Sequence, residues 1–159
     1  DVSRLCPNKG AKYRTLGSLK YIVFHRIGGA DVGLAAARRF QVSRIWGQGV
    51  GMKNPYHYYI DREGVIEIAA PMHEVTPHAW KKNRQSIGVG VLGDFRSEAP
   101  TAAQWQAALA LCLLLPPSLE ICAHDELPLA TSDPNKECPG RYFKVADLSQ
   151  EVAEIRCQR

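Results

Sequence analysis

The chain lacks any hydrophobic stretch long enough to cross a bilayer. Its run from Leu109 to Leu115 falls far short of the ~20 apolar residues that a spanning helix needs. It has no low-complexity tract, no internal repeat and no long block of like charge, which sets aside repeat architectures and disordered tails. Cysteine is sparse and odd in number, five in 159 residues. That is not a dense disulfide framework, and synthesis in a reducing compartment is expected. Clustered basic charge is also missing. The formal charge is only +4, and Arg38-Arg39, Lys81-Lys82 and Arg84 are scattered without the aromatic interleaving of a nucleic-acid groove. Neither a nucleic-acid nor a membrane partner is expected. The first residues, Asp1 to Cys6, carry no apolar signal core and no initiator Met, a start also compatible with a signal removed by processing.

What is present reads as one domain over residues 1–159, with residues 1–19 as a polar N-terminal arm containing Pro7 and Gly10. The length is enough to bury a proper core. Lys20 to His25 is β-branched and aromatic and ends at Gly28-Gly29, a short buried strand. Asp31 is a candidate N-cap for a helix from Val32 to Trp46, followed by a glycine-rich loop from Gly47 to Gly51. Tyr56 to Ile60 and Val65 to Ala69 flank Asp61-Arg62-Glu63-Gly64, a β-hairpin signal. Strict alternation would put Tyr56, Tyr58 and Ile60 on one face and His57 and Tyr59 on the other. Tyr56 and His57 therefore cannot both enter one cleft.

Ser86 to Leu92 alternates Ile87, Val89 and Val91 with Gly88 and Gly90, a central strand whose glycines admit a close neighbour. Thr101 and Gln104 form a capping-box pair for a helix to about Leu115, with Trp105, Leu109, Cys112 and Leu113 as its buried stripe. Pro116-Pro117 ends it. Leu119 to Ala123 is a further strand, and Ala146 to Arg156 a last amphipathic helix with Leu148, Val152 and Ile155 on one side. Strands interleaved with helices of this length predict an α/β fold, a single mixed central β-sheet flanked by helices. Cys112 and Cys122 sit in apolar runs and read as core thiols. Cys6 and Cys157 lie near the two termini, and their spacing says nothing of whether they pair.

Three residues have the chemistry of metal ligands. His25 and His124 follow apolar runs and so sit at strand ends. Cys138 sits in Asp133-Pro134-Asn135-Lys136-Glu137-Cys138-Pro139-Gly140, a stiff Pro- and Gly-bounded turn. Two histidines and one cysteine suit Zn²⁺, and three protein ligands leave one tetrahedral position open, the catalytic pattern. Each residue alone also has a plainer reading as a packed or surface side chain. Their spacing is not that of Cys-x-x-Cys or His-Glu-x-x-His.

An ordered set of short motifs carries a resemblance. Phe24-His25, the segment Asn54 to Gly64, Pro77-His78-Ala79, Ser86-Ile87-Gly88-Val89, Ala123-His124-Asp125 and Lys136-Glu137-Cys138-Pro139-Gly140 occur in that order. Together they resemble the zinc-dependent N-acetylmuramoyl-L-alanine amidases, a family that includes phage amidase endolysins and animal peptidoglycan recognition proteins. The likeness runs from about His25 to Phe143. It implies the same α/β architecture, a Zn²⁺ cofactor on His25, His124 and Cys138, and Tyr56 and Lys136 assisting catalysis. It also implies a histidine beside the cleft, His78. Trp80, in the fourteen-residue segment from Pro71 to Arg84, reads as a rim residue able to stack on a sugar. Some cytoplasmic members of the family carry a catalytic glutamate late in the strand corresponding to Ser86–Leu92. The matching position here is Gly90, so Tyr56 must take that part. With Tyr56 the one that enters the cleft, as the resemblance implies, His57 reads as a core histidine held by a hydrogen bond.

The expectation is therefore a monomeric peptidoglycan hydrolase of phage or prophage origin, its mild positive charge suited to an anionic wall. It would be made in the cytoplasm and act on the cell wall after release, or be secreted or periplasmic if the start was processed. Two other classes fit part of the pattern. One is a thiol hydrolase with Cys138 as nucleophile and His124 as base. The other is a non-catalytic peptidoglycan-binding module.

Overall fold

Seven consecutive residues rich in β-branched and aromatic side chains, Tyr21–Ile27, form the strand on which the rest is assembled. In a computed structural model of the protein, residues 12–28, 54–128 and 137–158 are described. Among them, β1 is Lys12–Tyr13, β2 is Tyr21–Ile27, β3 is Tyr58–Ile60, β4 is Ile66–Ile68 and β5 is Glu74–Val75. Strand β6 is Ser86–Leu92, helix α1 is Ala102–Leu114, strand β7 is Glu120–Ala123 and helix α2 is Val145–Cys157. The helix expected from Val32 to Trp46 and the glycine loop after it lie outside the described residues, as do Cys6 and Lys136. No helix among the described residues is long and apolar enough to cross a membrane.

The main sheet has five strands in the order β4-β3-β6-β2-β7. Strand β2 pairs in parallel with β6 and β7, β3 runs parallel to β6, and only β3–β4 is antiparallel. This is the mixed α/β sheet expected. Period-two alternation divides its faces. Ile22, Phe24, Tyr58, Ile60, Ile87, Val89 and Val91 share one apolar cluster with Ala107, Ala108, Leu111 and Cys112 of α1 and Leu148 and Val152 of α2. Burying each such large side chain contributes about 1.5–3 kcal/mol. Both described helices thus cover one face. Val23, His25 and Ile27 point to the other, and that face carries the chemistry.

Local sequence explains how α1 is placed. Thr101 accepts from the Gln104 amide, and the Gln104 side chain accepts from the Thr101 amide, completing the capping box. Gln104 is fully buried and its Nε2 donates to the Leu92 carbonyl at 2.7 Å, so the cap also ties the helix to the end of β6. Trp105, expected in the buried stripe, is half-buried instead. Its indole N–H needs an acceptor and donates to Glu151 of α2 at 2.8 Å. Small Ala107 and Ala108 take the sheet-facing positions, where they let the helix approach closely.

The hairpin forms as expected, with Tyr58 opposite Ile68 and Ile60 opposite Ile66. Gly64 adopts φ 80° in its turn, a conformation open to glycine and strained for side chains. The expected alternation fails at Tyr56. The regular strand begins only at Tyr58, and Tyr56 packs with Tyr59, Ile27 and Leu92 on the His25 face rather than with Tyr58 and Ile60. Residues 12–19, the described part of the expected arm, are also more firmly held than their polarity suggests. Residues Lys12–Tyr13 pair with Glu74–Val75, and Arg14 is buried. Its guanidinium donates to the carbonyls of Met72, Asn83 and Ser86. Those bonds fasten the arm to the segment from Pro71 to Arg84, which is therefore a built wall and not a solvated connector.

His57 is fully buried, as a core histidine should be. Its Nδ1 accepts from the Gly88 amide at 3.0 Å, and its Nε2 lies 2.7 Å from Arg14 Nη2 and 2.9 Å from the Glu74 carbonyl oxygen. Burial, and then the neighbouring Arg14 charge, push its pKa down from 6.5 to about 3. The unfolded chain takes up this proton as pH falls below 6.5, while the folded chain resists until about 3. The stabilisation is complete above the unfolded value and shrinks as pH falls through that window, by up to ~1.4 kcal/mol per pH unit from this one residue. Urea unfolding of metal-free protein from pH 7 to pH 4 should show that decline. His57→Gln should reduce the slope by close to one proton's worth, and an unchanged slope would place the acid sensitivity elsewhere.

Candidate metal centre

Three strand-end and loop segments bring His25, His124 and Cys138 together. His25 lies on β2 one residue beyond Phe24, so it faces away from the helices. His124 extends β7: its amide donates to the Phe24 carbonyl at 3.2 Å, continuing the β2–β7 ladder past the Phe24–Ala123 pair. Two residues after Cys122, which packs against Val23, its side chain falls on the same face as His25. The two imidazole centroids are 4.4 Å apart. Cys138 comes from a loop and is clamped by Asp125, the residue after His124. The Asp125 amide donates to the Cys138 carbonyl, and the Cys138 amide donates to Asp125 Oδ2, both at 3.1 Å.

The loop is held at two further points. Arg26, beside His25, donates from Nε to the Glu137 carbonyl at 3.1 Å. Gly140, at φ 120°, lies so close to Phe95 that a Cβ there would meet its carbonyl oxygen at 2.6 Å. No other residue admits that approach. The peptide bond Cys138–Pro139 is cis.

The donor set fits a zinc ion. All three residues are buried, and their ligand atoms lie within 4.8 Å of one another. Cys138 Sγ is 3.7 Å from His25 Nδ1. Tetrahedral zinc with N at ~2.0–2.1 Å and S at ~2.3 Å puts two such ligands about 3.5 Å apart. The other buried thiols are chemically quiet: burial pushes Cys112 and Cys122 up to about 12, as befits core cysteines.

Two glycines on β6 make room for what surrounds His25. A Cβ on Gly90 would lie 2.7 Å from Tyr56 Cδ2 and 2.6 Å from Ile27 Cδ1. Tyr56 thus fills the space that any side chain at residue 90 would need, and its ring centroid is 4.9 Å from that of His25. Gly88 is covered in the same way by the His78 ring, whose Cγ would meet a Cβ there at 2.6 Å. His78 is buried, and its Nδ1 lies 3.1 Å from His25 Nε2. Burial, first of all, holds its pKa well below 6.5, so the ring is neutral.

The structure brings together His25, His124, Cys138, Tyr56 and His78. Trp80 stands apart from this cluster, 67% exposed, two residues beyond the buried His78. Lys136 lies outside the described residues. Sequence reasoning missed Asp125, Arg26 and Asn83. Asp125 had a signal, a carboxylate directly after a candidate ligand. Asn83 Oδ1 accepts from the amides of His78 and Ala79 at 3.0 and 2.6 Å, which closes the loop that presents Trp80. Nothing in a polar Lys-Lys-Asn stretch announces that.

Known proteins share this fold. Among solved structures, the fold matches the N-acetylmuramoyl-L-alanine amidase LysC from Clostridium intestinale with a TM-score of 0.70, 21% identity, and coverage of 89% of this chain and 93% of that one. It matches Drosophila PGRP-LB with 0.68, 20%, and coverage of 87% and 84%. It matches the Ph2119 endolysin from a Thermus scotoductus bacteriophage with 0.66, 23%, and coverage of 88% and 89%. In sequence, peptidoglycan-recognition protein 2 of Holotrichia diomphalia is 26% identical over 101 residues, 58% of this chain. That match spans about half, 52%, of the relative's own length. The family described as N-acetylmuramoyl-L-alanine amidase matches residues 15–141, a span that takes in the whole sheet and all three candidate ligands, and the chain belongs to that family.

Proposed function

We propose that the protein is a zinc-dependent N-acetylmuramoyl-L-alanine amidase. It cleaves the amide between the lactyl group of N-acetylmuramic acid and L-alanine of the peptidoglycan stem peptide. The observation that carries this reading is the convergence of His25, His124 and Cys138 ligand atoms within 4.8 Å in a chain of this family. The setting that fits best is a phage or prophage endolysin acting as a monomer, made in the cytoplasm and reaching the wall after release. A processed start would make it secreted or periplasmic.

An amide is a weak electrophile with a poor leaving group. Zn²⁺ held by the three ligands supplies Lewis acidity toward the carbonyl and acidifies water at neutral pH. The chain's own residues do the rest. Two neutral imidazoles and one thiolate would hold the ion. Tyr56, packed beside His25, places its phenol to orient or deprotonate the attacking water, or to donate to the oxyanion. With Gly90 in the strand, no carboxylate competes for that place. Lys136, two residues before Cys138, provides a cation for the oxyanion. Trp80 offers its exposed indole to a sugar face at the rim, and His78 borders the same cleft from inside.

The purified protein should hold about one zinc per chain. A strong chelator should abolish wall lysis, and added Zn²⁺ should restore it. Digested peptidoglycan should gain free amino groups on L-alanine without new reducing ends. Reducing ends as the main product would mean a glycosidase. Full activity in metal-free protein would transfer the chemistry to Cys138 as a nucleophile, whose sulfur lies 3.7 Å from His25 Nδ1.

Variants separate ligands from catalysts. His124→Ala should lose metal and activity together, because two ligands make a weak, open site. Lys136→Ala and Tyr56→Phe should retain the metal and lose about 10²–10³ in kcat, the usual cost of one oxyanion donor. Affinity for an uncleaved muramyl peptide should change far less, since the oxyanion exists only in the transition state. Near wild-type turnover in both would remove these catalytic roles while leaving the metal assignment standing.

A further inference from the structure

We propose that His78 is a positioning residue: it sets the tautomer and ring orientation of His25 and so presents His25 Nδ1 to the metal. The proposal rests on the zinc reading above and assigns His78 a role inside the protein, distinct from contact with substrate.

The direction of the hydrogen-bond chain is fixed from its far end. His78 Nε2 lies 3.4 Å from the Ser86 carbonyl oxygen and 3.1 Å from Ser86 Oγ. The carbonyl can only accept. The Ser86 hydroxyl already donates to the Lys82 carbonyl at 2.8 Å, so its lone pair faces His78. Nε2 of His78 must therefore carry the proton. In a neutral ring that leaves Nδ1 bare, and Nδ1 is the atom 3.1 Å from His25 Nε2. His25 then donates from Nε2, and its Nδ1, on the side of Cys138 Sγ, is left as a lone pair for the metal. One backbone carbonyl thus decides, through two rings, which nitrogen of His25 is the ligand.

The chain is rigid at every link. His78 lies over Gly88, where any Cβ would strike its ring. Its amide is held by Asn83 Oδ1 at 3.0 Å. The Ser86 carbonyl is fixed in turn by Arg14 Nη1 at 2.7 Å. Partners of this kind, accepting from the second nitrogen of a ligating histidine, commonly alter metal affinity by about 10- to 100-fold when removed.

The test compares His78→Phe, which keeps a ring over Gly88 but has no acceptor, with His78→Asn, whose Oδ1 can accept near the position of Nδ1. Zinc affinity is measured by competition with a chromophoric chelator, and melting of the metal-free forms reports folding. His78→Phe should bind zinc about 10- to 100-fold more weakly, and His78→Asn should recover most of that loss. Unchanged affinity in His78→Phe, or equal loss in both folded variants, overturns the proposal. Long-range ¹H–¹⁵N NMR of the unmodified protein decides the matter even if His78→Phe does not fold. Both His25 and His78 should be protonated on Nε2, and a proton on Nδ1 of either overturns the assignment. Failure of the unmodified protein to bind zinc at all would instead overturn the metal reading, whatever the tautomers.

Discussion

Pairing of β2 with both of its parallel neighbours is the constraint on which the site depends. The β2–β6 register sets His25 opposite Gly90, and the β2–β7 register ends with Phe24 opposite Ala123. His124 therefore emerges beside His25. A slip of one residue on either side would turn one of these histidines toward the helices, because side chains alternate with period two. The large apolar cluster under the helices makes such a slip costly. Phe24, Ile22, Val89 and Val91 are all fully buried there, and moving them to the other face would expose the core. Hydrophobic burial on one face thus positions polar chemistry on the other.

The third candidate ligand is held by different means. Cys138 comes from a loop, which has no ladder to fix it, and Asp125 supplies a substitute with one backbone and one side-chain hydrogen bond to the Cys138 main chain. Arg26 and Gly140 add a hydrogen bond on one side and a close backbone contact on the other. The donor atoms of His25, His124 and Cys138 lie within 4.8 Å of one another, close enough for one cation to be shared among them.

Around this centre, absence of side chains is as informative as their presence. Gly88 and Gly90 leave two hollows on the sheet, and His78 and Tyr56 fill them. That explains how a tyrosine stands where some relatives are expected to carry a carboxylate. It also explains why the segment from Pro71 to Arg84 is built so firmly, with Arg14 and Asn83 as its internal fasteners. The same segment carries His78 to the ligand and Trp80 to the rim.

Much of this was legible in the chain alone. The short β-rich runs, the Thr101–Gln104 capping box and the Asp61–Gly64 turn are local signals, and each formed as read because local backbone preference and burial agreed. His25, His124 and Cys138 could be picked out as candidate ligands by residue type and by their places at strand ends and in a stiff turn. The ordered motifs added the family. What only the tertiary structure decided is which side chains share a face and who bonds to whom. Tyr56 departs from the alternation of its neighbours because the regular strand begins two residues later. Trp105 packs against the core yet stays half-buried, its N–H donating to Glu151 of another helix. Arg14 turns a polar arm into a clamp by finding three carbonyls far along the chain. His78 meets His25 across 53 positions. Periodicity and composition report on neighbours along the chain, whereas hydrogen bonds to buried polar groups are settled by whichever distant partner the fold brings within 3 Å or so.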